Sequence, residues 1–417
     1  MTTPSPEDTS NAAYDFSARS YEWRLHSAEE AIERHLATEV VRAGAKRAFV
    51  VCSPSITAKT NTVDRIADAL GDRYAGVFDG IEVDSTYSST VAAADAARAA
   101  GADLLIAVGG GSVIVATRVV DIFLCETGDP FEIMTQYPED KPAYSPRLMA
   151  PKLPIINIAT TPTSAANRGG SGLANPDLEQ RMEYFDPKTR PIALFWDWQA
   201  ILATPVNVVR STATTTFAAA VSSAAASGMN PLVEGDRAHI LRLSKRAYTR
   251  LVEAPQDIAP RIDLSTAALL QNRSVDDAGS GPAGRGDSVF GGDYAISTAL
   301  HVLYPHIGQG ESTSVLAATV ARRAETPPLE SVRRVAELLD VWSNGMTADE
   351  ATLASADAVE AIYRTVGMPV GIRELDVPRE DFSRIADATL NNFNSNQGLR
   401  DPAARHRATV DILEAAW

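Results

Sequence analysis

The segment DLLIAVGGGSVIVATR, residues 103–118, sets three consecutive glycines and a serine between a short apolar run and a stretch of helical character. A buried strand ending in Gly109, Gly110, Gly111 and Ser112 leaves backbone N–H groups open to close approach. The helix that follows adds the partial positive charge of its N-terminus, so the turn suits a phosphate group. A tight strand-to-helix turn without a ligand also calls for glycine, and from the triplet alone both readings stand. Other reactive side chains are few. The two cysteines, Cys52 and Cys125, lie in apolar segments with no CxxC spacing. That pattern fits small buried side chains better than a disulfide framework or a zinc site. Of the six histidines, His301 and His306 share one short segment, HVLYPHIGQG.

The elements that must hold these residues follow from the pattern. Ser27 and Glu30 read as a capping box for a helix carrying Ile32, Leu36 and Val40 and stopped by Gly44. Strands are expected at 48–53, 74–78, 104–108, 155–160 and 193–197, alternating with helices at Val63–Leu70, 90–100 and 113–125. Parallel strands need such crossovers, so the front half reads as a Rossmann-like α/β layer. From about Thr204 the strand signal stops. Helices are expected at 205–227, 236–252, 262–271, 292–303, 313–323, 328–340, 348–366, 379–392 and 402–416. The expected organisation is a flexible arm at 1–20, a dinucleotide-binding α/β domain at 21–200 and an all-α substrate domain at 201–417. Ligands of such folds bind at strand C-termini, here in the cleft between domains. The glycine-rich segment 275–292 reads as a lid or as a tolerated surface loop.

Bulk properties exclude several classes. A formal net charge of −15 repels nucleic acid and anionic membrane alike. The N-terminal MTTPSPEDTSNAAYDFSARS has no basic patch followed by an apolar core, and no run of eighteen apolar residues occurs. The expectation is a soluble cytoplasmic protein with reduced thiols.

Four segments in fixed order now resemble one family. They are GGGSVIVATR (109–118), TTPTSAANRGGSG (160–172), HVLYPHIGQG (301–310) and GMPVGIRELDVPREDFSRIADATL (367–390). Together they resemble the iron-containing alcohol dehydrogenases, with maleylacetate reductases nearest in character, and imply a dehydroquinate synthase-like fold. The resemblance implies that Gly109, Gly110, Gly111 and Ser112 bind the pyrophosphate of NAD or NADP. It implies further cofactor contacts from Thr161, Thr163, Ser164 and Asn167. The family's aspartate three residues beyond the serine is Val115 here, as in maleylacetate reductases, and its lysine is Arg118. The strand-end acid that favours NAD falls at Ser53, so with Lys59 nearby and no carboxylate, NADPH is permitted. The family's lysine near the nicotinamide aligns with Arg181.

The metal site departs from that pattern. The family holds a divalent metal with one aspartate and three histidines, the first two on the helix after residue 205. Here TPVNVVRSTATTTFAAAVSSAAASGMNPLV, residues 204–233, contains no Asp, Glu, His or Cys. The other two ligands map near His301 and Glu311-Ser312. Threonine, phenylalanine and alanine cannot replace such ligands, so the metal is expected to be absent. A developing alkoxide would then need hydrogen bonds or cations, for which His301, His306, Arg168 and Arg181 are the candidates. Tyr304 is a possible proton relay, although an aromatic on a helix more often packs in a core. The expected function is NAD(P)H-dependent reduction of a small ketone or aldehyde, one bearing an acid group included, by a homodimer. A lyase or cyclase of the same fold and a catalytically silent binding homologue are the alternatives.

Overall fold

The structure is a computed structural model, and it describes residues 17–138, 141–278, 290, 293–324, 328–393 and 401–417. Two compact units divide these residues, one containing Glu22–Val209 and the other Arg210–Thr389 with Asp401–Trp417. Most of the expected arm lies outside the described residues, and residues 17–20 form no regular element.

The first unit is built on a six-stranded sheet. Its strands are β1 (Arg24–Ala28), β2 (Ala48–Cys52), β3 (Tyr74–Phe78), β4 (Leu104–Gly109), β5 (Ile155–Ala159) and β8 (Ala193–Asp197), in the order β1-β8-β5-β4-β2-β3. Every pairing is parallel. Strands β2, β4, β5 and β8 are buried along their whole length, as continuous apolar runs such as LLIAV require. The crossovers include α1 (Ala31–Arg42), α2 (Pro54–Lys59), α3 (Thr62–Leu70), α4 (Tyr87–Ala99) and α5 (Gly111–Cys125). Ile32, Leu36, Val40, Ile66 and Leu70 pack one helical layer on Val50, Ile106, Ile156 and Phe195. The segment after α5 holds a short helix, α6 (Pro130–Ile133), among its described residues. An antiparallel hairpin of β6 (Gly170–Leu173) and β7 (Met182–Phe185) and a short α7 (Trp198–Leu202) complete the set.

The capping box at Ser27 is corrected. Ser27 lies in β1, paired with Trp196 of β8, and α1 begins at Ala31 with no side-chain cap from its N-cap residue Glu30. The anionic partner comes instead from Asp197, whose Oδ2 accepts the Ile32 N–H at 3.4 Å. A strand residue cannot also supply the cap geometry.

The second unit is helical among its described residues: α8 (Val206–Ala224, shared with the end of the first unit), α9 (Glu234–Glu253), α10 (Ile258–Ala278), α11 (Tyr294–Leu303), α12 (Gln309–Arg322), α13 (Leu329–Leu338), α14 (Ala348–Thr365), α15 (Phe382–Leu390) and α16 (Pro402–Ala416). Its core joins Ile296, Leu300, Leu316, Phe382, Ile385 and Leu413. The expected loop at 275–292 begins later than expected, since Val275–Ala278 continue α10. Most of the remainder lies outside the described residues. No helix among the described residues is long and apolar enough to cross a membrane.

Candidate functional site

The glycine turn stands where β4 gives way to α5, with Gly110 at the N-cap. A Cβ on Gly110 would lie 3.2 Å from Thr161 Oγ1, and one on Gly111 would lie 3.0 Å from Thr163 Oγ1. The turn and the loop after β5 therefore approach each other at backbone distance, which is what the absent side chains permit. Thr161 is buried, and its Oγ1 has no hydrogen-bond partner among the described residues. A buried hydroxyl left unmatched costs stability unless something else meets it. An orphan hydroxyl, a Cβ-free cradle and a helix N-terminus together fit a phosphate of a dinucleotide.

Ser112 is anchored from a different direction. Its Oγ accepts the Asp84 N–H at 3.1 Å, and its carbonyl accepts the Ser85 hydroxyl at 2.6 Å. Asp84 and Ser85 hold left-handed backbone conformations, with φ of 62° and 57°. The Asp84 carboxylate lies 3.8 Å from Arg181 Nη2, while Arg181 Nη1 donates to the Gly172 carbonyl at 2.9 Å. Burial raises the Asp84 carboxyl above its ordinary range, and Arg181 opposes that shift. Arg181 and Ser112 thus meet through Asp84, a residue that sequence reasoning did not single out. Its signal was weak, because a lone aspartate in a polar loop has many uses.

The loop bearing Thr161, Thr163, Ser164 and Asn167 is held from beneath. Arg118 Nη1 donates to the carbonyls of Ala165 (2.5 Å) and Arg168 (2.8 Å), and Nη2 donates to Gly170 (2.8 Å). Asn157 Nδ2 donates to the Ala166 carbonyl at 2.7 Å, and Arg190 Nη1 to that of Asn167 at 3.1 Å. Thr163 Oγ1 accepts the Ala165 N–H at 3.0 Å. Asn167 is buried, Ser164 half-buried and Arg168 exposed. Arg118 and Asn157 were not among the expected site residues, since an arginine within an apolar helix gives no sign of what it meets.

Ser53 stands at the N-cap position of α2 without a side-chain cap, and its hydroxyl shares a hydrogen bond with Ser55 at 3.0 Å. The segment around Ser53 carries no carboxylate of its own, but one approaches α2 from the neighbouring strand. Asp79 follows β3, the neighbour of β2, and its Oδ2 accepts the Thr57 hydroxyl at 2.7 Å. The sequence around Ser53 could not reveal it, because the acid arrives from the adjacent strand. Lys59 lies exposed at the far end of α2. Cys52 is buried at the end of β2 and its thiol is pushed up to about 12, chiefly by burial, which disfavours the thiolate.

In the helical unit the two candidate histidines separate. His301 is buried in α11, whereas His306 lies beyond the helix end, exposed, with Nε2 3.3 Å from the Leu375 carbonyl. The shared segment HVLYPHIGQG is thus divided by the end of α11, whose C-cap residue is Tyr304. The Tyr304 hydroxyl donates to Asp381, and burial together with that carboxylate raises it well above the tyrosine range. It is held as a phenol.

Helix α8 lies in the stretch where the resemblance puts two of the metal ligands. Ser211 donates to Glu311 Oε2 at 2.7 Å, and Thr214 shares a hydrogen bond with Tyr248. Thr214 and Thr215 also donate to their own helix's carbonyls of Arg210 and Thr212. These are neutral hydroxyls, with one carboxylate among them. Among the described residues, no three His, Cys, Asp or Glu side chains gather as a metal set. The donors present do not fit the family's divalent metal.

Comparison with known proteins places this geometry. Residues 25–198 match iron-containing alcohol dehydrogenase, and residues 220–417 match the C-terminal region of the Fe-containing alcohol dehydrogenase family. Lactaldehyde reductase of Escherichia coli (strain K12) is 25% identical over 391 residues, 92% of this chain and 95% of that protein. Maleylacetate reductase of Burkholderia cepacia is 25% identical over 382 residues, 91% of each chain. The crystal structure of a 1,3-propanediol oxidoreductase shares the fold with a TM-score of 0.81 at 19% identity, over 96% of this chain and 100% of that one.

Proposed function

Because the chain belongs to the iron-containing alcohol dehydrogenase family and is an alcohol dehydrogenase-like oxidoreductase, we propose that it reduces a small ketone or aldehyde with NADH or NADPH and without a metal. The observation that carries this reading is the orphan Thr161 hydroxyl facing the Gly110 turn at the end of β4. Gly109, Gly110, Gly111 and Ser112 would hold the pyrophosphate, helped by Thr161, Thr163, Ser164 and Asn167. Ser53 would lie toward the ribose. A nicotinamide held there would supply a hydride for the carbonyl carbon.

The chain's own residues then have two tasks. One is to meet the negative charge that develops on the carbonyl oxygen, a task that cations and hydrogen-bond donors perform in place of a metal. Buried His301 is the candidate in the helical unit. The second is to orient an acid-bearing substrate, for which the guanidiniums of Arg181 and exposed Arg168 offer paired donors. The surface position of His306 and its contact with the Leu375 carbonyl support a packing role instead. Lactaldehyde reductase and maleylacetate reductase are reductases by name, which supports the direction of the reaction. Titrating the protein into NADH and NADPH and following nicotinamide fluorescence tests the reading. Enhancement that saturates with at least one cofactor is expected, and no binding of either would overturn it.

A further inference from the structure

The buried guanidinium of Arg118 has an unusual set of partners. It is 1% exposed, sits two turns into α5, and gives hydrogen bonds to Ser171 Oγ at 2.9 Å and to the carbonyls of Ala165, Arg168 and Gly170. All four acceptors are neutral. Its own helix begins at Gly111, so the side chain ties the glycine turn's helix to the loop that carries Thr161 and Thr163. Asn157 and Arg190 grip the intervening carbonyls of Ala166 and Asn167, so a run of loop oxygens is turned toward buried donors. The loop's register against Gly110 and Gly111 follows from this grip. That register puts Thr161 Oγ1 at the cradle with no protein partner.

The charge is as informative as the geometry. Buried charges are normally paired, and an arginine among neutral acceptors keeps its positive charge uncompensated. Burial, with Arg168 and Arg190 nearby, pushes the Arg118 guanidinium down to about 9, still protonated at neutral pH. A charge kept buried at that cost points to the clamp as the task of this side chain.

We propose that Arg118 is a positioning residue for dinucleotide binding: by clamping the loop carbonyls from Ala165 to Gly170 it sets Thr161 and Thr163 against the glycine turn. This rests on the cofactor reading above. A lysine cannot replace the clamp, since one ammonium cannot reach four divergent acceptors in the fork geometry of a guanidinium.

The test compares wild-type protein, Arg118→Lys, Ser171→Ala and a control, Val332→Ala, which truncates a core side chain in the helical unit. Dissociation constants for NADH and NADPH are measured by fluorescence, together with kcat at saturating cofactor and the melting temperature. Arg118→Lys is expected to weaken the better cofactor at least about tenfold with kcat within about threefold. Val332→Ala is expected to lower the melting temperature while leaving cofactor affinity within about twofold. Should Arg118→Lys fail to fold, Ser171→Ala removes a single anchor and is expected to weaken binding about two- to fourfold. Unchanged affinity in Arg118→Lys, or in Ser171→Ala where the lysine variant does not fold, would overturn the proposal, as would equal weakening in Val332→Ala. Wild-type protein that binds neither cofactor would instead sink the cofactor reading itself.

Discussion

The Ser211 hydroxyl donates to the Glu311 carboxylate at 2.7 Å, joining α8 to the first turn of α12 across a hundred positions of sequence. The contact is possible because Gly310 has no side chain: a Cβ there would lie 2.2 Å from the Ser211 carbonyl oxygen. Close helix approach has been filled here with a hydroxyl–carboxylate pair, where the family resemblance calls for metal ligands. Protein dialysed against a strong chelator is therefore expected to retain its reductase activity within about twofold, with well under about 0.5 metal atom per chain by elemental analysis. Activity that disappears with chelation and returns with iron or zinc would refute the metal-free reading.

Asp79 bears on cofactor choice. On the proposed placement of the ribose toward Ser53, a carboxylate near α2 would repel a 2′-phosphate, and Asp79 is bonded to Thr57 of that helix. NADH is expected to bind more tightly than NADPH. Asp79→Asn is expected to narrow the gap by about fivefold, roughly 1 kcal/mol, read from the two dissociation constants. A variant with the wild-type ratio would remove Asp79 from the specificity argument.

The two histidines are expected to behave differently. Loss of a buried donor that meets developing charge costs about a hundredfold in kcat, which is the expectation for His301→Ala. His306→Ala removes an exposed contact with the Leu375 carbonyl and is expected to keep kcat within about threefold. Equal losses in both variants would show that the separation seen in the structure has no catalytic meaning.

A buried carboxyl makes stability depend on pH in the first unit. Asp121 is fully buried near the end of α5, where its Oδ1 accepts the Leu153 N–H at 2.9 Å. Burial pushes its carboxyl up to about 7, against the lowering effect of that hydrogen bond and of Lys152. A carboxyl raised on folding favours the folded state at low pH, and that contribution is lost as pH climbs from about 4 through about 7. Asp121→Asn is isosteric and does not ionise. The melting temperature of the variant relative to wild type is expected to rise by about 2–4 °C between pH 5 and pH 8. A difference that stays flat with pH would show that Asp121 ionises normally.

Much of this was legible in the residues themselves. The apolar runs of β2, β4, β5 and β8, the glycine turn between β4 and α5, and the succession of helices beyond Thr204 all follow from local pattern. What escaped was non-local. RLHSA became β1 only because β8 lies beside it, as the Arg24–Ala193 to Ala28–Asp197 pairing shows. The hairpin of β6 and β7 begins in GSGL, which has little strand character until Met182–Phe185 pairs with it. Arg118 stood out only as a family lysine replaced, while its four acceptors come from residues 47 to 53 positions downstream. Asp79 reached Thr57 by sheet order. Periodicity reports which face of an element is apolar, and it is silent on which distant loop that face will meet.

The most direct measurement follows the hydride. Metal-analysed, chelator-treated protein is given NADH carrying deuterium at the transferable position of the nicotinamide, together with small aldehydes and keto acids, and the products are read by mass spectrometry. Deuterium on the carbinol carbon of the product, formed by protein with less than about 0.1 metal atom per chain, is the expected result. Product that forms only when iron or zinc is restored, or that carries no deuterium, would contradict it.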